Sequence, residues 1–253
     1  MSKLYIQPEN IPDVCEYPLQ VASFDVAPDG KLRPAAVLRY QQEAAEQHFA
    51  PGGLGWRGMA ALGMAFVCVR WHGQLLRRPG MGERVTVETW HRQRKGPRFF
   101  RCYRWVDAGG AEIIRGVMEF ALVSTADHRL LRGEEFDRFA IPAQPERGVD
   151  CADPGRLHLP ELATAGAYRV RPSDADMNGH MNNTHYADLC EDLLPPGMAM
   201  GEITLQFLHE SRPGDTVALD SARENNRLYL RGSRGDLPVF AAELALVEDG
   251  YGA

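Results

Sequence analysis

The chain has 253 residues, 44% apolar and 25% charged, with a formal net charge of −6. It is too apolar for general disorder and long enough for one large domain or two modest ones. No run approaches the roughly twenty apolar residues of a membrane helix, and the beginning Met1-Ser2-Lys3-Leu4-Tyr5 lacks the apolar stretch of a secretory signal, so a cytoplasmic protein without a membrane span is expected.

In chain order, Val21 to Val26 reads as a short strand closed by a Pro28-Asp29-Gly30 turn. Pro34 suits the first turn of a helix, where its missing N–H costs nothing. Val37, Leu38, Gln41, Ala44, Ala45, His48 and Phe49 then recur at helical spacing until Pro51-Gly52-Gly53 stops the helix. Long strands are predicted over Glu83 to Gln93, Arg98 to Val106 and Glu112 to Val123, with turns at Lys95-Gly96-Pro97 and Asp107 to Gly110. The stretch from about Ala126 to Leu162, rich in Pro, Gly and charge, reads as a connection centred on 146–163. A strand at Tyr168 to Arg171 leads to a turn with Gly179. A helix follows, presenting Tyr186, Leu189, Cys190, Leu193 and Leu194 on one face before Pro195-Pro196. Strands are expected over Glu202 to Leu208, Thr216 to Ala222, Arg227 to Gly232 and Val239 to Val247.

The two halves share this order. Aligning Gly30 with Gly179 also aligns Val37 with Tyr186, Tyr40 with Leu189 and Ala44 with Leu193. Pro79 to Val85 resembles Arg212 to Val217, each placing a glycine and a carboxylate before a β-branched run. We infer two α+β units, 1–145 and 164–253, each a sheet buried against a long helix.

Charge is uneven. Residues 70–104 hold ten basic residues against Glu83 and Glu88, a balance of +8, which leaves −14 for the remainder. Such a zone can steer an acidic partner or be a set of solvated strand ends. No nucleic-acid signature accompanies it. The cysteines Cys15, Cys68, Cys102, Cys151 and Cys190 are odd in number and widely spaced, which favours free thiols. His180, His185 and His209 lack metal-ligand spacing, and no metal or cofactor is expected.

Asp176-Met177-Asn178-Gly179-His180-Met181-Asn182-Asn183 gathers a carboxylate, an amide and an imidazole just before a helix. Those groups can handle a polarised carbonyl, although a plain surface turn has similar composition. In the first half Ala27, Asp29 and Lys31 occupy the aligned places, so the reactive set exists once.

Asp176-x-Asn178-x-His180-x-Asn182-Asn183-x-x-Tyr186 resembles the acyl-acyl carrier protein thioesterases of plants and bacteria. The resemblance continues through Gly63-x-x-Phe66-Val67-x-x-Arg70, Gly82-Glu83 with Val85 to Trp90, and Ile203 to Glu210 with Gly214-Asp215, about residues 20–247 in all. It implies a tandem double hot-dog fold, two long helices each wrapped by an antiparallel sheet. The first unit would shape the acyl site and the second would carry the chemistry. It also implies Asp176, Asn178, His180 and Glu210 as catalytic residues, releasing fatty acid by attack of activated water. Glu210 is preferred over Asp176 for activating that water, and Asn178 is suited to hold a carbonyl oxygen or water. Many plant members have cysteine after the glutamate; Ser211 stands here, which argues against a cysteine nucleophile. Asn182 or Asn183 can cap the helix, leaving first-turn N–H groups for negative charge.

Met59, Leu62, Met64, Phe66, Val67 and Trp71 can line an acyl tunnel or be ordinary core. An acidic carrier protein would dock on Arg77, Arg78, Arg92, Arg94, Lys95 and Arg98. The alternatives are an acyl-coenzyme A thioesterase, a noncatalytic acyl-binding hot-dog protein, and a hydratase or dehydratase using His180. Monomer and homodimer are both compatible with the sequence.

Overall fold

The computed structural model describes residues 6–144 and 147–248. The first half contains β1 (Cys15–Gln20), α1 (Pro34–Phe49), α2 (Trp56–Ala61), β2 (Met64–Leu75), β3 (Arg84–Lys95), β4 (Arg98–Asp107) and β5 (Glu112–Ser124). A one-turn helix α3 (Glu134–Asp137) lies in the connection. The second half contains β6 (Ala163–Arg169), α4 (Thr184–Asp192), β7 (Met198–Phe207), β8 (Thr216–Glu224), β9 (Arg227–Arg234) and β10 (Leu237–Glu248).

Among the described residues, ten strands form one antiparallel sheet, in the order β1-β3-β4-β5-β2-β7-β10-β9-β8-β6. Taken from its two edges, the order is the same in each half, with β1 matching β6 and β2 matching β7. The halves meet at β2 and β7, where Trp71 faces Leu205, His72 faces Thr204 and Gly73 faces Ile203. The helices α1 and α4 pack against each other, and the main core lies between them and the sheet, including Val37, Leu38, Ala44, Trp105, Leu189, Ile203 and Phe240. A second cluster holds Phe49, Leu54, Met59, Met64, Phe99, Leu122 and Phe136.

The repeat extends to individual backbone bonds 149 residues apart. Val26 bridges Leu32 as Ala175 bridges Met181. The Ala27 N–H donates to Lys31 O, the Asp176 N–H to His180 O. Gly30 and Gly179 take φ of 73° and 76°, a left-handed turn that glycine adopts without steric cost. The Leu32 N–H reaches Pro79 O and the Met181 N–H reaches Ser211 O, so Arg78 is the structural counterpart of Glu210.

Four local features differ from the reading of the sequence. Val21 to Val26 is not a strand: β1 ends at Gln20, and Ser23–Asp25 is a 3-10 turn. Buried Asp25 fixes that turn by accepting hydrogen bonds from Arg39 and Tyr40 of α1, both 2.8 Å. The strand expected at Tyr168 to Arg171 lies earlier, at Ala163–Arg169. There Asp174 makes the equivalent turn, accepting from the Tyr168 hydroxyl and the Arg171 N–H. Strand β2, at the centre of the sheet, was not anticipated from the sequence. Its burial does not alternate, and its register shifts between Cys68 and Arg70. The implied long helices also differ in length: α1 has 16 residues and α4 only nine.

Candidate active site

The turn that positions the reactive set is held from both sides. The Met181 N–H donates to Ser211 O at 2.8 Å, tying the turn to the segment after β7, and the Asn182 N–H donates to Asp174 O at 2.9 Å. With these anchors, His180 Nε2 lies 3.0 Å from Glu210 Oε2. The imidazole is mostly enclosed, and the carboxylate remains half exposed. On the other side of Gly179, Asp176 Oδ1 accepts the Asn178 N–H at 2.8 Å, and the Asn178 amide donates to Asp176 Oδ2 at 3.4 Å. The four expected residues thus form two contacting pairs, Asp176 with Asn178 and His180 with Glu210.

Glu210 is not on a strand. β7 ends at Phe207, and the Leu208 and His209 N–H groups both donate to Val239 O. This doubling turns the chain, so the alternation of a regular strand does not govern His209, whose Nδ1 lies 2.6 Å from Pro238 O. Ser211 is wholly buried and accepts a hydrogen bond from the Tyr186 hydroxyl at 3.2 Å. Cys190 is also buried, and burial pushes its thiol well above the ordinary range. Neither is presented as a nucleophile.

The cap belongs to Asn182, whose Oδ1 accepts the Thr184 N–H at 3.0 Å; Asn183 makes no side-chain cap bond. The expected free N–H groups of the first turn are largely engaged. His185 N–H bonds to Asn182 O, and Tyr186 N–H to Asn183 O.

Asp176, Met177, Asn178 and Asn182 form one wall of a groove of about 800 Å³. The opposite wall comes from the first half, including Arg39, Gln42, Glu43 and Glu46 of α1 and Trp56 and Arg57 of α2. The sequence reading had no role for these residues. Their spacing was visible as the polar stripe of an amphipathic helix, which has the composition of a solvated face. Glu46 accepts the Trp56 N–H with both oxygens, fixing the start of α2 against α1. His180 and Glu210 are not among the residues lining this groove.

The apolar residues considered for a tunnel divide three ways. Met59, Leu62, Met64 and Phe66 belong to the second core cluster, Trp71 to the main core, and Val67 is 46% exposed. The basic zone is extensively paired. Arg77 meets Glu83 and Asp107, Arg78 meets Asp29, Arg94 meets Glu134 and Asp137, and Arg92 and Lys95 share Asp153. Arg70 pairs with buried Glu119, from which Arg98 is 3.9 Å, and Arg101 is itself buried. The +8 counted along the sequence is therefore not +8 at the surface. All five cysteines are free, and among the described residues no cluster of His, Cys, Asp or Glu could hold a metal ion. Among those residues no helix is long and apolar enough to cross a membrane.

Two halves that repeat one strand order around neighbouring helices, with a single polar site at one of two equivalent turns, define a double hot-dog protein. Residues 13–135 match the N-terminal domain of the acyl-ACP thioesterases and residues 158–236 match the C-terminal domain. The chain belongs to the acyl-ACP thioesterase family. It is 24% identical to the oleoyl-acyl carrier protein thioesterase 2, chloroplastic, of Arabidopsis thaliana, over 85% of this chain and 65% of the relative, so it spans just under two thirds of that protein. The crystal structure of an acyl-ACP thioesterase from Bacteroides thetaiotaomicron shares its fold with a TM-score of 0.85 at 18% identity, covering 96% of this chain and all of that one. The 12:0-ACP thioesterase from Umbellularia californica does so with 0.81 at 20% identity, covering 94% and 98%.

Proposed function

We propose that the protein hydrolyses the thioester of an acyl-acyl carrier protein, releasing free fatty acid by direct attack of water. The observation that carries this reading is the 3.0 Å contact between His180 and Glu210 beside the Asp176–Asn178 pair. Glu210 accepts the proton of the attacking water, with His180 sharing the transfer through Nε2. Asp176 holds Asn178, whose amide donates to the thioester oxygen as negative charge develops there. The thiolate of the carrier's arm leaves and takes up a proton. Asp176, Asn178, His180 and Glu210 are thus the proposed catalytic residues. The unit over 1–145 shapes the acyl site, and the unit over 164–253 supplies the chemistry.

Within the basic surface, Lys95 and Arg98 keep the most exposed side chains of the six candidates, 60% and 51%. They are the best placed to meet an acidic carrier. Purified protein given matched carrier-linked and coenzyme A-linked acyl panels, with free thiol and fatty acid followed separately, tests the proposal. Stoichiometric thiol and acid from the carrier panel are expected. Binding without release, or a product that retains the thioester, would sink it. Faster coenzyme A turnover would move the assignment to that substrate. Arg98→Glu is expected to raise KM for carrier-linked substrate alone, an effect that fades with salt.

A further inference from the structure

Helix α1 is pinned to β4 at two points. The Tyr40 ring meets the edge of Trp105 with centroids 6.1 Å apart, and Arg101 Nη1 donates to His48 Nδ1 at 2.7 Å. Eight helical residues rise about 12 Å and four strand residues about 13 Å, so helix and strand run side by side in opposite senses. Between the pins lie Gln41 and Ala44 on the helix and Tyr103 on the strand. Tyr103 faces Gly116 of β5, and Gly116 faces Gly73 of β2. The Trp71 indole lies against both glycines: a Cβ at Gly116 would stand 3.2 Å from its Nε1, and one at Gly73 2.6 Å from its Cζ2. The two glycines thus let the Trp71 indole lie flat on the sheet beside Tyr103.

The same layer holds polar atoms without partners. Gln41 Nε2 and Oε1, Trp71 Nε1 and Trp105 Nε1 are enclosed and make no hydrogen bond, and the enclosed Tyr103 hydroxyl beside them has at most the Thr89 side chain. All four residues are 0% exposed. At its edge stands Arg101, 4% exposed, whose contacts are His48, the Thr89 hydroxyl and the Phe49 ring, none of them a carboxylate. Buried polar groups nearly always have partners, so this concentration in one layer points to a polar occupant. The set is rich in donors: an amide NH₂, two indole N–H groups and a phenol, with the Gln41 carbonyl as acceptor and a neighbouring cation. Its complement is an oxygen acceptor, and a hydroxyl can in addition donate to Gln41. The surrounding walls, including Val37, Leu38, Ile114 and Met118, are apolar and suit an aliphatic chain.

We propose that this layer is a specificity site for an oxygenated acyl chain, one carrying a hydroxyl or keto group held by Gln41 with help from Tyr103 and the indole N–H groups of Trp71 and Trp105. The inference rests on the acyl-hydrolase reading and adds the substrate class.

Binding and turnover test the two separately. Wild type, Gln41→Leu and Trp105→Phe are titrated by calorimetry with free saturated, hydroxy and keto fatty acids of matched length, and assayed with the corresponding carrier-linked series. Wild type is expected to bind at least one oxygenated acid about tenfold or more tightly than the plain acid, because a site built to hydrogen-bond an oxygen disfavours the analogue without it. The same ranking should appear in kcat/KM. Gln41→Leu should abolish that preference and Trp105→Phe should reduce it; should Gln41→Leu fail to fold, Trp105→Phe alone decides. Equal binding of plain and oxygenated acids by wild type overturns the proposal, as does a preference that is undiminished in the folded variants. Selective binding of oxygenated acid without cleavage of any carrier-linked thioester keeps this site and removes the hydrolase reading.

Discussion

At the residue scale, the proposed mechanism gives different work to two carboxylates. Glu210 contacts an imidazole that can share a proton, whereas Asp176 is engaged by the backbone and amide of Asn178. Glu210→Gln is therefore expected to lower kcat by about 100-fold or more, the usual reach of a general base, with little change in product binding. Asn178→Ala removes the proposed oxyanion donor and should cost about 3 kcal/mol in the transition state. Steady-state kinetics beside equilibrium binding check both, and an unaltered kcat in either variant would discard that residue's role. Asp176, Asn178 and His180 could be read because one turn holds all three. Glu210 entered only through family resemblance, since no local pattern tells a strand-end carboxylate from a solvated one. His48 was visible only as a position on the buried helix face. In the structure, enclosure and the neighbouring Arg101 hold its pKa down, to about 3. The unfolded chain binds this proton near pH 6.5 and the folded chain does not, so stability rises with pH between about 3 and 6.5. His48 should contribute a slope approaching about 1.4 kcal/mol per pH unit within that window. Urea unfolding at pH 7, 6 and 5 measures it, and the part due to His48 should disappear in a folded His48→Gln variant.

At the element scale, the two equivalent turns have been put to opposite uses. The second presents Asp176 and Asn178 to a groove and brings His180 against Glu210 beside it. The first places Asp29, Lys31 and Arg78 at the corresponding positions, and Arg78 pairs with Asp29. Beside it, Arg33 reaches Glu191 of α4 at 3.0 Å. Burial raises the pKa of Glu191, and Arg33 opposes that rise. Removing Arg33 should therefore leave a carboxylate in a poorly solvated place. Arg33→Ala is expected to destabilise by about 1–3 kcal/mol, and Glu191→Gln in the same background should recover part of the loss. Additive losses in the double-mutant cycle would show that the pair is not coupled. The duplicated order of elements was legible because glycine turns and helix punctuation recur at a fixed offset. The pairing that closes the first turn was not, because Arg78 is 49 residues from Asp29 and lies in a run of basic residues that reads equally well as solvent-facing. Strand β2 escaped for another reason: both of its edges pair with other strands and its register shifts midway, so it shows no period of two.

At the scale of the whole molecule, this central strand makes the two halves one sheet. β2 and β7 pair through five residues, with the Trp71–Leu205 pair buried and His72 Nδ1 2.8 Å from the Thr204 hydroxyl. Neither half ends in a free edge at the seam, and separating them would expose a long apolar strand on each side. The connection ties the halves further, since Trp90 Nε1 donates to Arg147 O and the Leu157 N–H donates to Gln206 Oε1. A single cooperative transition follows, and the distribution of tryptophan makes it measurable. Trp56, Trp71, Trp90 and Trp105 all lie in the first half, so their fluorescence reports on that half, while far-ultraviolet circular dichroism reports on both. The two signals should trace one denaturant curve with a common midpoint. Leu205→Ala, in the second half but packed at the seam, should cost about 3 kcal/mol and shift both signals equally. Two separated transitions, or a Leu205→Ala shift seen by circular dichroism and not by fluorescence, would mean that the halves unfold independently despite the shared sheet.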